Sequence, residues 1–542
     1  MSVQFNRLSY GSAVLENIQG QALPKETRAL KQWLDSLPRG NAREMALILR
    51  NGMALGVSIK MQGSDRFNQL ELVRADVIDS IAWLERQFLG SPLPLTDDRL
   101  AYARLAMQLH GLLADSYRTA CHELCSPNGT IPLLKSNTVA GSMQRSVWHY
   151  QQALMLSWKL YQSSAQGVWQ GLHRVYQFAL SLKLDGKDIV DPRHGGAVRI
   201  HDLYVESALM SLMNPFAFAQ TEQDQIRALA KGFAARCTID RFSTAEHSAK
   251  IPLEADLPVD SDLPDDNVAY LQHAPLVAAL ENAIVSKDGG QADVEIDSGQ
   301  SQRLHISVLK KVRRALGLAS ARGFPRIYDA YEIETIVAIS GIHYFAAGKL
   351  DFESYIQKLS QMGNQGLNMA ADWISMGADP QAQRSLRATV LDHSLGGYRL
   401  QWTADQALRI RVGEIIGLNT IRSDLEPVWM VGVVRWLRYG QDGSVLAGIK
   451  LLSRRCSAVA LRINHIGRPG SLMRGLELTP LETNLPRSLL MSGKLEAKKQ
   501  EVEVMYTYDP NRLGPTRLVE HLKTSATTLA SNMDYSVLTV EV

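Results

Sequence analysis

Residues 390–402 read VLDHSLGGYRLQW. Apolar Val390, Tyr398, Leu400 and Trp402 alternate with polar neighbours on either side of Ser394–Gly397, which reads as a strand, a tight turn and a second strand. In that pattern Arg399, between Tyr398 and Leu400, is expected to point outward from the strand. The same short-period reading continues downstream through LRIRVGEIIGL, VWMVGVVRWLRY, VLAGIKLLS and AVALRI, with Gln441-Asp442-Gly443 as a hairpin turn. Five or six such strands at this spacing predict a small antiparallel barrel over 389–470. RSLLMS, KKQEVEVMYTY and SVLTVEV extend the β-rich pattern over 471–542, where a helix is expected at TRLVEHLKTSATTLA (516–530).

Upstream the period changes. In FNQLELVRADVIDSIAWLERQFLG, Leu70, Val73, Val77, Ile81, Leu84 and Phe88 recur every three or four residues, which marks one buried helical face. Thr96 is placed to cap the next helix, with Asp97 and Asp98 in its first turn, where the helix dipole favours carboxylates. Further helical stretches at about 142–162 and 165–182, and at ESALMSLMNPF and QTEQDQIRALAKGFAA, make 1–230 a helical array. Residues 251–300 are rich in acids and 303–326 in bases, with strand and short-helix patterns between them, so 231–350 reads as a small α/β module. ETIVAISGIHYFAAG belongs to it as a strand followed by a helix, and 351–388 reads as a helical linker. The expected fold class is therefore multidomain α+β: an N-terminal helical array, a small α/β middle module, a C-terminal antiparallel β-barrel and a further β-rich piece.

Composition excludes several classes. A chain of 542 residues is long enough for three or four domains, and 45% apolar with 21% charged residues is an ordinary globular profile. A net charge of +3 does not suggest wholesale binding to nucleic acid or membrane. The run Ile336–Ala347, interrupted by Ser340 and His343, is too short for a membrane span, which needs about 20 apolar residues. The first twenty residues lack a basic stretch followed by an apolar one, so no signal peptide is expected. Four cysteines form no disulfide framework. Cys121 and Cys125, four apart in CHELC, lack a second matching pair for zinc. His201-Asp202 lacks the further ligands of a metal phosphohydrolase. No GxxxxGK[ST], HExxH or GxSxG is present. No catalytic residue and no metal site is expected.

What remains is Asp392-x-Ser394-x-x-Gly397, followed by Val412-Gly413-Glu414, Trp429, Gly432-Val433-Val434-Arg435-Trp436 and Ala447-Gly448-Ile449. This order over roughly 385–465 resembles the PilZ domain, a bacterial β-barrel that senses cyclic di-GMP. The layout also resembles large bacterial proteins that join a long helical region to such a barrel. The resemblance implies a ligand with two phosphates and two guanines, no cofactor, and a protein partner in motility, pilus or biofilm control. Asp392 can accept from guanine N–H groups, Ser394 can donate or accept, and Gly397 can take a positive φ or make room for the ligand. The same three residues also make a sound strand-to-turn fixture without any ligand. PilZ receptors carry an RxxxR pair ahead of this motif, and the nearest upstream arginines, Arg384 and Arg387, are spaced RxxR. Arg454 and Arg455, after the last barrel strand, are substitute guanidiniums or plain surface charge.

The leading expectation is a cytoplasmic cyclic di-GMP effector, with Asp392, Ser394, Gly397, Arg384 and Arg387 at the ligand and the helical region binding a protein partner. The alternative is a nucleotide-free interaction scaffold with a degenerate barrel. Scattered histidines and aspartates weakly favour an enzyme. The basic amphipathic stretch 303–326 weakly favours a nucleic-acid surface, against its reading as a solvated helix face.

Overall fold

The computed structural model describes the chain outside residues 1–2, 9–17, 192–195, 244–246, 262, 265, 287–289, 298–299, 318–323, 363–383, 407, 421–427, 441, 466–467, 482–487, 494, 496–498, 507–520, 532–534 and 541–542. It divides into two compact units, Met1–Ala321 and Arg322–Val542.

The first unit opens with helices α1 (Val3–Leu8), α2 (Thr27–Asp35), α3 (Ala42–Val57), α4 (Gly63–Phe88), α5 (Asp97–Cys125), α6 (Ser136–Lys159) and α7 (Val168–Ser181). Strands β1 (Ile189–Asp191) and β2 (Gly196–Val198) form a hairpin, and α8 (Ile200–Leu212) and α9 (Gln220–Ala234) follow. The predicted stripe of α4 is the buried one: Leu70, Val73, Val77, Ile81, Leu84 and Phe88 are all sequestered in one cluster with α2, α3, α5 and α6. Thr96 takes the N-cap position of α5, though its side chain makes no capping bond.

Charge is also buried there. Arg74 on α4 donates to both carboxylate oxygens of Asp191 at 2.9 and 2.8 Å, and both residues are buried. The same guanidinium donates through Nε to His149 Nε2 at 3.2 Å, so that nitrogen is an acceptor. His149 Nδ1 therefore carries the hydrogen and donates to His110 Nδ1, 3.0 Å away.

The rest of this unit is the expected sheet-and-helix module. Strands β3 (Thr238–Asp240), β4 (Ser248–Pro252) and β5 (Val268–Gln272) form a sheet in the order β3-β5-β4. Helix α10 (Ala274–Val285), the hairpin of β6 (Gln291–Asp297) and β7 (Gln300–His305), and α11 (Ile306–Ala315) follow. The basic helix α11 buries Val308, Leu309 and Val312, and its Lys311 pairs with Glu222 of α9 at 2.7 Å.

The second unit holds two closed barrels. The first contains β8 (Tyr331–Val337), β9 (Leu386–Ser394), β10 (Gly397–Trp402), β11 (Ile415–Thr420), β12 (Met430–Tyr439) and β13 (Val445–Ser453), in the order β10-β13-β12-β11-β8-β9. The second contains β14 (Cys456–His465), β15 (Arg468–Leu478), β16 (Ser488–Ser492), β17 (Lys499–Tyr506), β18 (His521–Ser531) and β19 (Tyr535–Val540), in the order β14-β15-β16-β19-β18-β17. Numbered from their own first strands, the two barrels have the same neighbour order. The second repeats the architecture of the first.

Three expectations are corrected. The barrel does not span 389–470: its first strand, β8, lies in the stretch assigned to the α/β module, and its last ends at Ser453. β14 belongs to the second barrel, so the extension is a complete barrel rather than an added piece. The described part of the expected helix at 516–530 is strand β18, because β17 on one side and β19 on the other satisfy its backbone groups. Residues 516–520 lie outside the described residues.

Helices α12 (Ala338–Ala346) and α13 (Phe352–Met362) occupy what was read as the module's end and the start of a linker. Ile339 and Ile342 of α12 share one core with Ile336, Ile415, Trp429, Val431 and Val433 of the first barrel and Cys456, Leu476, Leu478 and Leu490 of the second. His343 Nε2 donates to Val459 O at 3.2 Å and Tyr355 Oη to Ala458 O at 2.7 Å. The two barrels are thus sealed together through α12 and α13.

Buried histidines set a pH dependence. Burial, with Arg74 nearby, lowers His110 to about 3. Burial lowers His173 to about 4 and, with Arg474 nearby, His343 to about 4. An unfolded histidine titrates near 6.5. Below that pH the unfolded chain takes up protons that the folded chain refuses, so stability is full above about 6.5 and is lost as pH falls toward 4. Melting curves of the full chain between pH 7 and 4.5 are expected to show both units weakening. His343→Gln, which keeps a donor for Val459 O, is expected to flatten the slope of the second unit; an unchanged slope would refute the assignment.

Candidate ligand site at the end of the first barrel

Asp392 sits near the end of β9 with its side chain 2% exposed. Two guanidiniums hold it. Arg399, on β10, brings Nε to 2.6 Å from Oδ2, and Arg326, in the segment before β8, donates Nη1 to Oδ1. Register explains the first contact, since Arg399 and Asp392 are direct cross-strand partners with a bulge immediately after Arg399. Arg399 is therefore no mere outward residue. A short bridge explains the second: Ile327 N donates to His393 O at 2.8 Å and His393 N to Ile327 O at 3.0 Å. That bridge lays the segment carrying Arg326 against the end of β9.

The turn is closely packed. Ser394 Oγ accepts from Gly396 N at 3.2 Å, so in this arrangement the serine braces the turn. At Gly396 an added Cβ would meet the Phe324 ring at 3.4 Å. At Gly397 it would lie 2.1 Å from Ile449 O, which no side chain can do. Neither role expected for Gly397 is what the structure shows: it has no positive φ, and the room it makes is for the β13 backbone, which approaches β10 too closely for any Cβ. Next to it Tyr398 stacks on His393 with centroids 5.8 Å apart. Tyr331 meets His393 edge-on. Burial, with the neighbouring Tyr398 hydroxyl, pushes the Tyr331 phenol up to about 12, so it remains a donor at neutral pH. Phe324, Ile327, Tyr328 and Leu395 rim the charged centre as exposed apolar side chains.

Of the five residues expected at the ligand, the structure brings together Asp392, Ser394 and Gly397. It does not bring Arg384 or Arg387. Arg384 is exposed before β9 begins, and among the described residues no contact ties it to Asp392. Arg387 faces outward and pairs with Glu332 at 3.3 Å. It lies five residues before Asp392 along β9, about 16 Å of strand away. The residue that sequence reasoning missed is Arg326. The signal was present: Arg322-Gly-Phe-Pro-Arg326 has the RxxxR spacing, but 66 residues separate Arg326 from Asp392. Arg322 lies outside the described residues. Elsewhere, His201 is held by Tyr176 and the Cys237 carbonyl, and Asp202 by Arg199, so the His-Asp pair is spent on packing. The four cysteines are buried thiols.

This arrangement offers guanidiniums and a recessed carboxylate beside an exposed apolar rim. Guanidiniums pair with phosphate or with the O6/N7 edge of guanine, and a carboxylate accepts from guanine N–H groups. Comparison with known proteins points the same way. The family profile for the N-terminal domain of the cyclic-di-GMP receptor FimW matches residues 28–245. The profile for the middle PilZ domain of that receptor matches residues 259–385 and 374–458. The cyclic-di-GMP receptor FimW of Pseudomonas aeruginosa is 22% identical over 494 residues, covering 82% of this chain and 79% of that protein.

Proposed function

The chain belongs to the PilZ-domain proteins that carry a large helical N-terminal region, as in the FimW receptors, and from that premise we propose that it binds cyclic di-GMP at the end of its first barrel. The observation that carries the reading is the meeting of Asp392 with Arg326 and Arg399 beside the Gly396-Gly397 turn. Ligand binding then works by exchange. A phosphate takes the Arg326 guanidinium from Asp392, and the carboxylate, still paired with Arg399, accepts from a neutral guanine edge, so Arg326 trades one anion for another. Because Arg326 lies on a segment bridged to β9 at Ile327, this exchange repositions the segment that leads into β8. Such a change alters the rest of the chain only to the extent that the ligand prefers one arrangement. The protein acts as an effector rather than an enzyme. Its output runs through a protein partner, on the helical unit, in motility, pilus or biofilm control. Among the described residues no helix is long and apolar enough to cross a membrane.

The test is calorimetric titration of the full chain with cyclic di-GMP, beside an Asp392→Ala/Ser394→Ala variant. Micromolar or tighter binding, lost in the variant, is expected. No heat from the intact protein at high micromolar ligand would sink the reading and leave a ligand-free scaffold. That second reading draws support from one observation, that Arg326 is already neutralised by Asp392.

A further inference from the structure

The site described above counts two guanidiniums against one carboxylate. We propose that Arg454, in the two-residue link between the barrels, is a third guanidinium of this site and contacts a ligand phosphate. The proposal rests on the reading of the site as a cyclic di-GMP receptor and adds a residue supplied by the junction with the second barrel.

Three strands of geometry place it there. First, β13 runs beneath the turn: Leu451 N donates to Gly396 O at 2.9 Å, and Gly397 lies opposite Lys450. Arg454 follows three residues later. Second, Ser453 pairs with Val431, and the neighbouring Met430 brings its sulfur to 3.6 Å from Tyr398 Oη. The link therefore emerges beside Tyr398, the residue after Gly397, and the Arg454 charge is felt at the Tyr398 hydroxyl. Third, the backbone that carries Arg454 is fixed. Ser453 is fully buried, with Oγ 2.5 and 2.7 Å from the carbonyls of Arg455 and Thr479. Thr479 N donates to Arg455 O at 3.0 Å and Cys456 N to Trp429 O at 3.0 Å.

On this rigid link the Arg454 side chain is exposed, and among the described residues no carboxylate pairs with it. Its neighbour Arg455 has partners of its own. With Arg454 the site holds three guanidiniums and one carboxylate, a surplus of two positive charges. The cyclic dinucleotide carries two phosphodiester charges, so the surplus matches the ligand. A guanidinium held this way forms charge-assisted hydrogen bonds to phosphate without the cost of ordering a loop.

The experiment is titration of the full chain with cyclic di-GMP across Arg454→Ala, Arg454→Lys, Arg454→Glu and Arg455→Ala, with melting curves for each. Arg454→Ala is expected to weaken binding about tenfold, a charge-assisted contact being worth roughly that much. Arg454→Glu is expected to weaken it further, Arg454→Lys to recover part of the loss, and Arg455→Ala to stay within about twofold, all with unchanged melting. Ligand is also expected to slow amide exchange over 453–456 in the wild type and not in Arg454→Ala. If Arg454→Ala and Arg454→Glu both bind like wild type while Asp392→Ala does not bind, the role of Arg454 is refuted and the receptor reading stands. If the wild type does not bind, both are refuted.

Discussion

Asp191→Ala is expected to lower the stability of the helical unit by about 3–5 kcal/mol, the range found when one partner of a buried ion pair is removed. The carboxylate is fully buried and receives two hydrogen bonds from Arg74, with Arg145 Nη1 3.9 Å away. Its loss strands the Arg74 guanidinium between α4, α5 and α6, in contact with the Trp148 ring and the His149–His110 pair but, among the described residues, with no other counter-ion at hydrogen-bonding distance. Little water reaches a side chain that is 4% exposed. The double variant Arg74→Met/Asp191→Leu removes both charges and is expected to lose far less, because an apolar pair of similar volume often replaces a buried ion pair at little cost. Each unit has its own core, so urea unfolding should resolve two steps, of which Asp191→Ala moves only one. A shift under about 1 kcal/mol, or equal shifts for the single and double variants, would show that this network does not hold the helical unit together.

Trp402→Ala is expected to destabilise the second unit by about 3–5 kcal/mol, as large aromatic deletions in packed cores do. Trp402 is fully buried at the end of β10. Its Nε1 donates to Thr335 Oγ1 on β8 at 3.0 Å, and Thr335 Oγ1 in turn donates to Leu386 O at the start of β9 at 2.9 Å. One side chain thus ties together the three strands that carry Asp392, Arg399 and the approach from Arg326. Trp402→Phe keeps most of the buried area and leaves Thr335 bonded to Leu386, so about 1–2 kcal/mol is expected. Because both barrels share one apolar cluster through α12, they should melt together in either variant. A separate transition for the second barrel in Trp402→Ala would contradict that shared core.

Parts of this protein were legible in its sequence for a local reason. The stripe from Leu70 to Phe88 repeats with the period of a helix, and its burial follows from that period alone. The strand-turn-strand at 390–402 follows from alternation broken by two glycines, and it puts Asp392, Ser394 and Gly397 around one turn. The helix expected at 516–530 is a strand over its described part, 521–530, because that pattern suits a helix nearly as well as a strand. Only its neighbours β17 and β19 choose between them.

The arginines show the limit most clearly. Arg384 and Arg387 are the natural partners of Asp392 by proximity along the chain, yet an extended strand carries Arg387 about 16 Å away, where it pairs with Glu332. Arg326 and Arg399 hold the carboxylate instead. The sequence by itself determined the period of each element, the turn at Ser394–Gly397 and the class of barrel it belongs to. Tertiary structure alone decided which guanidiniums meet Asp392, that β8 closes the first barrel, and that the strands from Cys456 onward repeat its strand order. The reason is that periodicity is a property of neighbouring residues, whereas strand pairing is settled by where the chain returns, and no local interaction records that.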